Sequence, residues 1–154
     1  MPVLKDLYSV KRMASLTQRC RWAEQLSRTL TAVHEYGYLH RDISPGNVLI
    51  TADMKTAYLS DFGACAELSQ REWPAGLDPS FVGTTHFASR NALFEGPPCE
   101  DDDWQALLYT IHWTDPQHEE WRSSAIDRRV NVEEAGRRDP AAQVIVQFMN
   151  RALA

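Results

Sequence analysis

Between residues 40 and 47 the chain reads His40-Arg41-Asp42-Ile43-Ser44-Pro45-Gly46-Asn47, a polar link in which Pro45-Gly46 forces a turn. Asp42 and Asn47 stand five residues apart across that turn, so both side-chain oxygens can face one site. Asp61-Phe62-Gly63 begins fourteen residues after Asn47. One carboxylate near a hydroxyl substrate, with an Asn and an Asp near a phosphate, makes an oxygen-only magnesium site with an adjacent base. Hard oxygen ligands suit Mg²⁺, and no CxxC pair is present to suggest zinc. An isolated Asp and Asn in a turn are, by themselves, ordinary turn residues.

These groups need elements to hold them. Leu16, Cys20, Ala23, Leu26, Leu30 and Val33 recur at spacings of three and four, which predicts a helix over 16–35 that Gly37 stops. Val48-Leu49-Ile50 and Ala57-Tyr58-Leu59 have strand length, and the polar stretch 51–55 between them predicts a β-hairpin. The candidate loop thus lies between a helix and a hairpin, with Asp61 at the end of the second strand. Residues 64–101 carry Pro74, Pro79, Pro97 and Pro98 without periodicity, as a long loop that is either functional or disordered does. Trp104, Leu107, Leu108 and Ile111 predict an apolar helix over 103–113, with Asp101, Asp102 and Asp103 at its N-terminus, where negative charge is favourable. A last amphipathic helix is expected over 140–153, with Pro140 at its start and Val144, Ile145, Phe148 and Met149 inward. The fold class is α+β and mostly helical, with little sheet.

The 154 residues are 44% hydrophobic and 24% charged, which excludes wholesale disorder and fibrous classes. A net charge of −5 gives no global pull toward nucleic acid or an anionic membrane, so neither is expected as a partner. Cys20, Cys65 and Cys99 are odd in number and widely spaced, against a disulfide framework. No apolar run approaches the ~20 residues of a membrane helix, and the N-terminus lacks a signal-peptide pattern. A reducing cytoplasmic or nuclear compartment is the expectation. Among the histidines, His34, His86, His112 and His118 read as structural or surface residues. Of the five tryptophans Trp73 is the one expected to be exposed, and Cys65 reads as a small buried residue, with a reactive thiol beside the site as the alternative.

His-Arg-Asp-x-x-x-x-Asn followed by Asp-Phe-Gly resembles the catalytic core of the eukaryotic protein kinases. The likeness extends to Val33-His34-Glu35-Tyr36-Gly37-Tyr38-Leu39-His40 before the loop. It also takes in Gly83-Thr84-Thr85-His86-Phe87-Ala88-Ser89, similar to the substrate-side end of an activation segment, and Asp102-Asp103-Trp104-Gln105-Ala106-Leu107, similar to the start of the central buried helix. The order matches over roughly residues 8–125. The resemblance implies ATP and Mg²⁺ as cofactors and transfer of the γ-phosphate to a Ser/Thr hydroxyl. It makes Asp42 the base, puts Asn47 and Asp61 on Mg²⁺, and has Arg41 bridge to the activation segment. Thr84 would brace Asp42, Leu49 would form the floor under the adenine, and His40 and Phe62 would stack beneath the site. Asp102 would anchor the catalytic-loop backbone from below. Hydroxyls at Ser69, Ser80, Thr84 and Thr85 become phosphorylation candidates that could pair with Arg41.

The resemblance implies a C-terminal lobe alone over 1–154: a lead-in segment and helix over 1–39, catalytic loop, hairpin and Asp-Phe-Gly over 40–63, activation segment over 64–91, and closing helices over 102–154. No glycine precedes Gly37, so these residues contain no Gly-rich phosphate loop, and Lys5 and Lys11 lie too close to the first helix to be the strand lysine. Ser44 stands where Ser/Thr kinases place a lysine, and a serine cannot supply that charge. Ala88-Ser89-Arg90-Asn91 replaces the usual Ala-Pro-Glu, similar to casein-kinase-type sequences, and the loop variant resembles divergent fungal kinase-like families. Two other readings stay open. One is a non-catalytic, pseudokinase-like binding or regulatory module whose apolar surface near Leu39, Leu49 and Phe62 invites a partner in place of the upper lobe. The other is a relative of the small-molecule phosphotransferases, which share an Asp…Asn…Asp layout. A protein substrate, or a partner covering the upper-lobe surface, is the expected interaction.

Overall fold

The computed structural model describes residues 3–69, 82–116 and 137–154. The expectations for Trp73, Ser80 and His118 lie outside these residues. The chain begins with β1 (Leu4–Asp6) and a single helical turn, α1 (Leu7–Val10), capped by the Asp6 carboxylate on the Ser9 N–H at 2.9 Å. The long helix α2 spans Leu16–Glu35. It starts at a reciprocal cap: Ser15 Oγ accepts from the Gln18 N–H at 3.2 Å, and Gln18 Oε1 accepts from the Ser15 N–H at 2.8 Å. It ends at Gly37, whose φ of 87° reverses the chain without a Cβ clash. After α2 come β2 (Tyr38–Leu39), β3 (Val48–Thr51), β4 (Ala57–Leu59) and β5 (Ala66–Glu67), then helices α3 (Glu100–His112) and α4 (Pro140–Ala152).

The expected hairpin is present as β3–β4, with Leu49 opposite Tyr58 and Ile50 opposite Ala57. It is part of a larger sheet than expected: β1 pairs antiparallel on the other edge of β3, with Lys5 opposite Ile50 and Asp6 opposite Leu49. The two-residue alternation of a strand then sorts the side chains. Val48, Ile50, Ala57 and Leu59 are buried against the helices, while Leu49 and Tyr58 point the other way. A second, two-stranded sheet pairs β2 with β5, Leu39 opposite Ala66.

The core gathers Trp22, Ala23, Leu26 and Leu30 of α2, the inner sheet face, Trp104, Leu107, Leu108 and Ile111 of α3, and Ala141, Ala142 and Ile145 of α4. Helix α3 is buried on nearly every side, as a central helix is. The expected inner face of α2 is corrected at both ends. Leu16 is exposed, Cys20 and Val33 are half-buried, and the buried stripe instead takes in Arg19, Ser27 and His34. The expected inner residues of α4 are corrected too: Ile145 is buried, but Val144, Phe148 and Met149 are half-buried, and Ala141 and Ala142 pack innermost. Among the described residues no helix is long and apolar enough to cross a membrane.

Candidate active site

The loop 40–47 is fixed from below by one buried carboxylate. Asp103, in the first turn of α3, accepts from the His40 N–H at 2.8 Å, from the Arg41 N–H at 2.8 Å, and lies 2.9 Å from His34 Nε2. These contacts hold Arg41 in the left-handed region, φ 70°, a conformation that costs a non-glycine residue ~1–3 kcal/mol unless its surroundings impose it. The anchoring role expected of Asp102 therefore belongs to its neighbour. Successive helix residues point about 100° apart, and only packing decides which of two adjacent carboxylates meets the loop. His34 is a structural histidine, as expected, with a definite task.

His40 is fully buried and stacks edge-on against Phe62 at 4.9 Å between ring centroids, the pairing expected of them. Its Nε2 lies 3.0 Å from the Ser60 carbonyl oxygen, which ties the loop to the end of β4. Ser60 in turn donates from both N–H and Oγ to the Asn47 carbonyl, at 2.9 and 3.0 Å. The residue before Asp61 is thus fastened to Asn47. The Leu68 N–H donates to the Gly37 carbonyl at 2.8 Å, so the chain leaving Asp61-Phe62-Gly63 returns to the end of α2.

Asp42, Asn47 and Thr84 meet directly. Thr84 Oγ1 donates to Asp42 Oδ1 at 2.7 Å, and Asn47 Nδ2 donates to Asp42 Oδ2 at 3.0 Å and to the Asp42 carbonyl at 2.8 Å. Thr84 is 42 residues from Asp42 in sequence, so its expected bracing contact is a true tertiary one. Asp61 is less enclosed. It is exposed, adopts φ 58°, and accepts from the Gly63 N–H at 3.2 Å. Among the described residues, no hydrogen bond reaches the Asn47 amide oxygen or Asp61 Oδ2. Both are hard oxygen donors on neighbouring segments, and that donor chemistry fits Mg²⁺.

Leu49 sits half-buried on the outer face of the sheet beside Tyr58, as a floor residue would. Arg41 lines, with Asp42, Val82, Thr84, Phe87 and Ala88, an open cavity. Leu39, expected on an exposed apolar surface, is buried, 2% exposed, while Phe62 and Tyr58 are each about half exposed. Cys65 is half-buried, and burial first, then the charges of Asp103 and Asp61, push its thiol above the ordinary value despite Arg41 nearby. It is not an activated nucleophile.

Sequence reasoning missed a densely bonded carboxylate outside this region. Asp139 accepts from Arg19 Nη1 at 3.0 Å and Nη2 at 2.5 Å and from the Ala141 N–H at 3.0 Å, with His112 Nδ1 at 3.1 Å. His112, Asp115 and Asp139 come close enough to suggest a metal, but the guanidinium already holds both Asp139 oxygens. The only signal in the sequence is a charged residue, Arg19, on the apolar stripe of a helix.

A model of the protein kinase domain matches residues 2–108. The chain belongs to the protein kinase family. Its relatives include the 3-phosphoinositide-dependent protein kinase 1 of Homo sapiens, 31% identical over 105 residues, which are 67% of this chain and 18% of that protein. The serine/threonine-protein kinase csk1 of Schizosaccharomyces pombe is 36% identical over 81 residues, 52% of this chain and 26% of that protein. The chain thus matches about a fifth to a quarter of the length of these curated relatives. The kinase lobe with its mostly helical α+β build agrees with the fold class read from the motifs.

Proposed function

We propose that this chain carries the catalytic-loop half of a phosphotransfer site that moves the ATP γ-phosphate to a Ser/Thr hydroxyl of a protein substrate. The observation that carries this reading is the Asp42 carboxylate, gripped at one oxygen by Thr84 and at the other by Asn47, beside an open cavity. Both grips come from neutral donors, and among the described residues no ion pair meets Asp42, so its carboxylate is oriented by hydrogen bonds alone, as a base for an acceptor hydroxyl would be. Thr84 and Asn47 fix its rotamer, which is the positional accuracy that phosphoryl transfer demands. Asn47, through its amide oxygen, and Asp61 would hold Mg²⁺, which when bound neutralises charge on the phosphates. Leu49 and Tyr58 would lie under the nucleotide base. Arg41, at the cavity rim, would meet the activation segment. Ser44 is buried and leaves Asp42 without the neighbouring lysine that the family places two residues on.

Calorimetric titration with ATP, with and without Mg²⁺, tests this. Magnesium-dependent binding is expected, and Asp61→Ala should weaken it at least about tenfold by removing a charged ligand. A folded chain that binds no ATP under either condition would sink the reading.

A second reading, a regulatory module that binds a partner without transfer, is favoured by the exposed Leu4, Tyr58 and Phe62. In that case ATP binding is absent and solution mass reveals a stable complex with a protein that covers this face.

A further inference from the structure

Asp102 and Asp103, adjacent in the acidic first turn of α3, face different walls of the candidate site. Asp103 holds the loop that carries Asp42. Asp102 faces the other way and gathers the segment that follows Thr84. Ser89 Oγ donates to Asp102 Oδ1, and Asn91 Nδ2 donates to Oδ1 at 3.2 Å and Oδ2 at 2.9 Å. The Cys99 N–H donates to Oδ2 at 2.9 Å. Asp102 is 9% exposed and Ser89 is fully buried.

The path from this anchor to Thr84 is short and itself bonded. Ser89 Oγ accepts from the Ala92 N–H at 3.0 Å, and the Ser89 carbonyl accepts from the Leu93 N–H at 3.2 Å, which starts a wide helical turn over Asn91–Glu95. On the other side the Phe87 N–H donates to the Thr84 carbonyl at 3.0 Å, closing one tight turn, and Phe87 is buried with its ring edge-on to Trp113. From Thr84 to Ser89 there is no long lever to absorb a displacement. Thr84 then reaches across the cavity to Asp42.

We infer that Asp102 is a positioning residue: through Ser89 and Asn91 it sets the wall that carries Thr84, while Asp103 sets the wall that carries Asp42. Because the two carboxylates are adjacent on one rigid helix, the separation of the walls is fixed by a single peptide unit. The inference rests on the proposed site for its catalytic meaning, but the mechanical claim stands apart from it. An Ala-Ser-Arg-Asn end to the segment is then a working substitute for a charged one, since its Ser and Asn supply neutral donors to a buried carboxylate.

Hydrogen exchange on this chain, read segment by segment, tests it. Asp102→Asn keeps the size but removes an acceptor oxygen, so exchange over 84–93 should quicken about tenfold while 40–43 keeps its wild-type rate. Asp103→Asn should give the converse pattern. Asp102 also caps α3, so Ser89→Ala serves as the second variant; it leaves α3 intact and should quicken 84–93 by a smaller factor without touching 40–43. If the chain also transfers phosphate, Asp102→Asn should raise KM for the acceptor peptide more than it lowers kcat. Equal loosening of both segments in each variant, or an unmoved 84–93 in Ser89→Ala, would overturn the inference. A chain that shows the split in exchange but binds no ATP would leave the positioning intact and remove the proposed function instead.

Discussion

Asp139 and Asp42 are both carboxylates held by several hydrogen bonds, yet their surroundings are opposite. Asp139 is fully buried, and a full charge from Arg19 meets both its oxygens. It ties α2, the end of α3 and the start of α4 into one unit, with Thr114 Oγ1 accepting from Arg19 Nε at 2.7 Å. Asp42 is half-buried, lines a cavity and, among the described residues, is held by neutral donors. A carboxylate whose acceptor capacity is filled by a cation can do nothing but hold structure. One that is oriented but not neutralised keeps a lone pair to offer. Burial alone would rank Asp139 above Asp42; the charge of the partners separates the two.

The widest separation should come from Asp139→Ala. It leaves the Arg19 guanidinium buried, 3% exposed, without its anion, at a cost of about 3–5 kcal/mol. Urea denaturation should show the loss as a lower midpoint, with ATP affinity of the remaining folded protein unchanged. A loss under about 1 kcal/mol would mean that the cluster is not a keystone and that the contrast with Asp42 is weaker than drawn.

Asp42→Asn should do the reverse. An amide keeps one acceptor for Thr84, so stability should move by no more than about 1 kcal/mol. Phosphate transfer should fall by roughly 10²–10⁴-fold, since the base is gone while the geometry stays. The pair of assays, a denaturation midpoint and an initial rate with labelled ATP, reads both. Undiminished transfer would remove Asp42 from the mechanism.

Long periodic elements are legible in the residue pattern itself. Helix α2 begins and ends at Leu16 and Glu35 as its spacing and Gly37 indicate, and β3 and β4 fall on their apolar runs. β1 and α1 are not legible, because three or four residues carry no period; they exist because β3 offers an edge and Asp6 offers a cap. The motif residues Asp42, Asn47 and Thr84 meet as their order suggests. The exchange of Asp102 for Asp103 is beyond sequence, since both sit in the same acidic run and only the packing of α3 against His34 and His40 distinguishes them. The Arg19–Asp139 pair spans 120 residues, and its one local trace is the charge of Arg19 on the apolar stripe of α2, which does not name the partner. Leu39 reads as exposed because it is placed on the surface that would face an upper lobe, but it is buried, paired with Ala66.

The smallest effect, and the sharpest on the comparison, is the acid response. Burial by itself would raise the pKa of Asp139; the hydrogen bonds from His112 and Arg19, with the Arg19 charge, outweigh it and bring the carboxyl from 3.8 down to about 2. A folded-state value below the unfolded one means that the unfolded chain takes up the proton first as the solution is acidified. The stability that Asp139 contributes is therefore complete above about pH 4 and is lost as the pH falls through about 2. Urea midpoints of the wild type and of Asp139→Asn, measured from pH 6 to pH 2, isolate this part. Other carboxylates titrate in both proteins and cancel in the difference. The gap between the two midpoints should be constant above pH 4 and narrow below it. A gap that stays constant down to pH 2 would show that Asp139 titrates alike in the folded and unfolded chain. The Arg19 charge would then not stabilise its anion, and the distinction between a neutralised and an available carboxylate would have to rest on Asp42 alone.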